Sequence, residues 1–180
     1  MHLRLVVSDE PERGRLPCGS RDHPLLSELS PDNAETLCLR VLRYACIAMR
    51  HGSLRPLDAG HQAAERELGL VGGASLIACC MALLRGMRSE RRAKFVFMAP
   101  ECPACSQRIS SDERLILLML RAGRTQDFPL LHIRAREIAQ VGPAPAIAQA
   151  GMALGKLLRS LPRPAQETAT SAPDGDESRP

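Results

Sequence analysis

Cys102-Pro103-Ala104-Cys105 sets two thiols two residues apart on one turn, a spacing that serves metal binding, disulfide chemistry or plain packing. As thiolates the pair supplies half of a tetrahedral zinc site. The other half would have to come from Cys79, Cys80, His132, Cys18 or His23, or from a second copy of the chain, and none of these has the spacing of a second ligand pair. As packing residues, Cys102 and Cys105 are turn side chains, one tucked under the next helix as a small apolar group. Packing is the reading the flanking sequence favours, because Ser110-Ser111-Asp112-Glu113 caps a separate helix beyond the pair.

The approach to the pair has a second aspect. Lys94-Phe95-Val96-Phe97-Met98 reads as a short extended run leading through Ala99-Pro100-Glu101 into the two cysteines. This resembles the active-site approach of thioredoxin-like proteins, and Pro145, forty residues after Cys105, lies near where that family places its cis-proline. The resemblance implies a thiol–disulfide oxidoreductase with Cys102 as nucleophile, Cys105 as resolving thiol and a strand after Pro145. Glu101 stands where the family has tryptophan, and Ala146-Ile147-Ala148-Gln149-Ala150 prefers helix.

Other groups are weaker candidates. Arg85, Arg88, Arg91, Arg92 and Lys94 form a basic cluster in which Arg88, Arg91 and Arg92 are the candidate phosphate contacts of a nucleic-acid surface. A solvated helix end carries the same charges for the sake of the macrodipole. The 22 Arg against two Lys reflect a coding bias, so arginine by itself says little. Asp112 and Glu113 are explained by their place in a first helical turn. His51 closes a helix, and His61 and His132 fall on polar or boundary positions. Cys38, Cys46, Cys79 and Cys80 sit among apolar helical neighbours and read as core. No nucleophile triad, glycine-rich phosphate loop or catalytic carboxylate pair stands out.

These residues must be carried by a chain of 180 residues, enough for one domain with tails. Three Phe, one Tyr and no Trp leave the core to aliphatic side chains, which suits helix-on-helix packing. An all-α fold follows, a compact bundle of five to six helices over residues 30–161, with a flexible arm at 1–29 and a disordered, Pro- and acid-rich tail at 162–180. Helices are expected from Ser30-Pro31-Asp32 to His51, over 58–68, 74–88, 111–122 (stopping at Gly123), 128–141 and 145–161. Residues 74–88, apolar nearly all round, should be central, and Gly151 and Gly155 should permit a close helix contact. The uncharged stretch 68–84 reads as a core helix and not a membrane span, being short and glycine-broken.

The odd count of seven cysteines on apolar helices points to a reducing cytoplasm, and the N-terminus lacks a signal-peptide pattern. The expected function is binding, as a regulator or adaptor with a protein partner, no membrane span and no resident cofactor, zinc being the metal the cysteine pair suggests. A nucleic-acid partner and a thiol–disulfide enzyme are the alternatives.

Overall fold

The first helix of the domain is set by a reciprocal cap. In the computed structural model, which describes residue 3 and residues 5–8, 23–140 and 142–161, Asp32 Oδ1 accepts from the Glu35 N–H at 2.8 Å and Glu35 Oε2 from the Asp32 N–H at 3.2 Å. Helix α1 (Asn33–His51) follows and ends at Gly52, whose φ of 64° suits glycine. The cap is thus Asp32, not Ser30 with proline at the first helical position. On α1 the apolar residues Leu37, Cys38, Val41, Leu42 and Ala45 are buried, and Tyr44 and Met49 partly so.

Helix α2 (Arg55–Glu90) consists of two limbs, 55–68 and 70–90, separated at the expected stop, Gly69, where φ is 70° and ψ 173°. In a straight helix residues eight apart are about 12 Å apart. Here the Gly73 backbone backs directly onto Glu65, so that a Cβ on Gly73 would meet the Glu65 nitrogen at 2.8 Å, and the limbs fold against each other. By length and composition α2 passes for a membrane span, but Gly69 interrupts it. The second limb enters the core through Leu76, Cys80, Leu83, Leu84 and Met87, all fully buried, while Leu70, Val71, Ala74 and Ala78 on its other side are exposed.

Strand β2 (Phe95–Met98) finds its partner in the segment expected as a mobile arm. Strand β1 (Leu5–Ser8) runs parallel to it, with Leu5 opposite Phe95 and Ser8 opposite Met98. A turn of 3-10 helix at Leu26–Leu29 also lies in that arm and packs on the domain through Leu26. The tail 162–180 falls outside the described residues.

Helices α3 (Pro103–Ser106), α4 (Ser111–Thr125), α5 (Phe128–Ala139) and α6 (Pro145–Ser160) complete an all-α bundle carrying one small sheet. Gly123 does not stop α4; Gln126 does, at φ 60°. Gly123 lies instead at the α4–α6 crossing, where a Cβ on Gly155 would meet the Gly123 carbonyl carbon at 2.4 Å. The close contact expected of Gly151 and Gly155 is present, with Gly123 as its third member. Pro145 opens a helix, so the strand required by a thioredoxin-like arrangement is replaced by α6, and no cis peptide occurs among the described residues. Glu90 at the end of α2 supplies the cap α6 lacks, accepting from the N–H groups of Ala146 at 2.8 Å and Ile147 at 3.0 Å.

Candidate functional site

The first turn of α4 is a junction for four elements. Ser110 caps it, accepting from the Glu113 N–H at 3.1 Å, while Glu113 Oε2 accepts from the Ser110 N–H at 3.0 Å. The Ser110 hydroxyl donates to the Val96 carbonyl at 2.7 Å. Asp112 accepts from the Val96 N–H at 2.7 Å and Glu113 from the Met98 N–H at 3.1 Å, so the two carboxylates satisfy the edge of β2 that faces away from β1. Their position in a first turn is therefore half of their explanation; the other half is this strand edge.

Each carboxylate is buried and paired. Glu113 takes Arg43 Nε at 2.7 Å and Nη2 at 3.1 Å, and Asp112 takes Arg91 Nη2 at 2.9 Å. Arg43 also donates to the Ser106 carbonyl at 2.9 Å and the Arg108 carbonyl at 2.6 Å, tying α1 to the cysteine turn. Arg91 donates to the Lys94 and Ile138 carbonyls. Of the three candidate phosphate contacts, Arg88 and Arg92 are exposed, whereas Arg91 is 2% exposed and committed to Asp112. Arg91 holds the β2–α5 side of the domain together and cannot present its charge to a phosphate.

The cysteine turn is short and hydrogen-bonded. Cys102 is the residue before α3, its carbonyl accepting from the Ser106 N–H at 2.8 Å, and the Cys105 carbonyl accepts from the Arg108 N–H at 2.9 Å. Cys102 is half-buried and Cys105 is buried. Cys105 is disulfide-bonded, but not to Cys102. In that state the pair is neither a closed dithiol nor two thiolates for one zinc. Among the described residues no three His, Cys, Asp or Glu side chains converge as a metal site. Of the supplementary ligands, Cys18 lies outside the described residues, His132 is exposed on α5, and Cys79 and Cys80 lie on α2.

Those two and the α1 cysteines form a thiol group of their own. The Cys80 thiol hydrogen-bonds to Cys38, and this bond, together with burial, pushes its pKa well up; burial also raises Cys46 and Cys79. Such thiols stay protonated and pack as small apolar groups.

Beside the cysteine turn, α1 forms one wall of a cleft of about 380 Å³, lined by Thr36, Leu39, Arg40, Arg43, Tyr44 and Ser106 among others. Thr36, Arg40 and Tyr44 share a face of α1 at four-residue spacing. Leu39, Arg43 and Cys46 form the adjacent row, so Arg43 is a charge inside an apolar stripe. That interruption is a sequence signal from which Arg43 could have been picked out. No protein-family model, curated protein or solved structure matches the chain.

Proposed function

We propose that the protein acts by binding, as a regulator or adaptor, and that it docks through the outer face of α2 between residues 70 and 86. The observation that carries this reading is the exposure of Leu70, 71%, and Val71, 79%, with exposed Ala74 and Ala78 following on the same limb. Contiguous apolar surface left open on a folded domain marks an interaction face. The groups with catalytic potential are meanwhile spent on structure: Asp112, Glu113, Arg43 and Arg91 pair with one another and with backbone.

The occupant that fits is a second copy of this chain. Leu70 and Val71 project at one end of the face, and a groove of mixed lining, Ala82, Ala146 and Ala153 with Arg85, Ser89 and Gln149, lies at the other. An antiparallel crossing near Ala78 sets each projecting end into the opposing groove, the self-matching arrangement that a two-fold interface requires. Exposed Ala74 and Ala78 at the crossing allow close approach. The free thiols buried on α1 and α2 support a cytoplasmic setting, against which the disulfide at Cys105 stands.

Sedimentation equilibrium at high micromolar concentration should give twice the 19.6 kDa chain mass, and Val71→Glu or Ala78→Glu should give the single mass with an unchanged circular dichroism spectrum. A monomeric parent chain overturns the reading, as does a dimer indifferent to both substitutions. Partition into phosphatidylcholine vesicles in place of dimerisation overturns it too, and assigns the face to lipid.

A further inference from the structure

We propose that the cleft between α1 and the Cys102–Cys105 turn binds a small molecule through an oxyanion, a phosphate or a carboxylate group. The inference uses none of the α2 docking face and stands independently of it. The cleft volume of about 380 Å³ falls in the range of small-ligand sites.

Its lining contains no Asp or Glu, and its polar groups are hydroxyls and guanidinium groups, donors to an oxyanion. The Arg43 charge is balanced by Glu113, yet Arg43 uses only four of its five N–H groups, two on Glu113 and one each on the Ser106 and Arg108 carbonyls. The fifth N–H is on Nη1, the atom held at 2.9 Å from the Ser106 carbonyl at the cleft wall. Arg40 has no carboxylate partner among the described residues and stands exposed on the same wall, so it sets the charge of the cleft. Thr36 and Tyr44 line the cleft, and their hydroxyls make no hydrogen bond among the described residues.

Fixed and mobile donors are thereby combined. Arg43 is held by four hydrogen bonds at the wall, Tyr44 rests over Gly60 of α2, and Arg40 is free to close on an anion from outside. An oxyanion bound there accepts from guanidinium groups of the α1 wall, and such charge-assisted bonds are the strongest made to phosphate and carboxylate. An ammonium ligand finds no carboxylate among the lining residues.

Amide NMR of the full chain, titrated separately with inorganic phosphate and with succinate at ionic strength held constant by chloride, tests the proposal. Saturable shifts confined to residues 36–44 and 102–108 are expected. Arg40→Gln should weaken binding at least ~10-fold, the worth of a lost charged hydrogen bond, with Tyr44→Phe a milder second loss and Arg88→Gln no loss. Response to phosphate alone assigns a phosphate group, response to succinate alone a carboxylate, and both outcomes support the site. Absent or non-saturating shifts, shifts spread over the Arg85–Lys94 surface, or binding undiminished in both Arg40→Gln and Tyr44→Phe overturn it.

Discussion

Arg43 shows how one side chain can join distant parts of a chain. Its guanidinium reaches Glu113 in a two-pronged pair and two carbonyls of the segment after the cysteine turn, with side-chain exposures of 4% for Arg43 and 1% for Glu113. Burying such a pair brings little net stability in itself, because desolvation offsets attraction, but breaking it leaves a charge with no partner and no water. Glu113 would be the orphan, since its remaining partners are the Met98 and Ser110 N–H groups. Arg43→Met is therefore expected to cost about 3–5 kcal/mol in urea unfolding. Arg43→Met with Glu113→Gln should recover part of that loss, because a neutral amide still accepts from backbone without carrying charge. A cost below about 1 kcal/mol for the single substitution would mean that water reaches Glu113 and that the pair belongs to the surface. The cysteines that first draw the eye have less to do at this scale: Cys46 and Cys80 are held protonated by burial and, for Cys80, first by the bond to Cys38.

Helices α4 and α6 meet backbone to backbone at Gly123 and Gly155, while the Met119 side chain of α4 lies against Gly151. Gly123, Gly151 and Gly155 let the backbones touch, a Cβ on Gly123 falling 2.9 Å from the Gly151 carbonyl oxygen and one on Gly155 2.4 Å from the Gly123 carbonyl carbon. Backbone cannot swing aside as a rotamer can, so Gly155→Ala must push the helices apart and loosen Met119 and Leu154 around them. A loss of about 1–3 kcal/mol is expected, read from thermal or urea unfolding, whereas the gain in helix propensity from Gly to Ala is only about 1 kcal/mol. Should Gly155→Ala stabilise the protein, the crossing is looser than these distances describe. Two of the three glycines were legible from their four-residue spacing. The role of Gly123 was not, because a glycine near the end of an apolar run reads equally as a stop, and only the position of α6 decides between them. The break at Gly69 was legible as a stop but not as a fold-back, since the contact of Gly73 with Ala64 and Glu65 is tertiary.

For the whole molecule, helices announce themselves through local periodicity and caps, and the all-α class and nearly every helix could be read from sequence for that reason. The cleft and the sheet could not. Arg43, Ser106 and Glu113 are brought together over separations of 63 and 70 residues, and β1 meets β2 across some ninety residues of chain, with no local pattern to record either meeting. Parallel strands need such a crossover, and a lone four-residue apolar run gives no hint of its partner. The two edges of β2 are nevertheless satisfied by different means. Alternate N–H groups of a strand point to opposite sides, so Phe95 and Phe97 face β1 while Val96 and Met98 donate to Asp112 and Glu113. That division makes a residue-level test of how the arm is attached. In a chain lacking residues 1–8, hydrogen exchange at the Phe95 and Phe97 amides should accelerate toward the unprotected rate, while Val96 and Met98 keep their protection through the carboxylates of α4. Equal loss at all four would show that β1 holds the junction itself, with Asp112 and Glu113 depending on the strand. Unchanged exchange at Phe95 and Phe97 would show that β1 does not pair there in solution. The expected alternation places the domain's anchor at Arg43, Arg91, Asp112 and Glu113, with β1 as an outer strand laid against it.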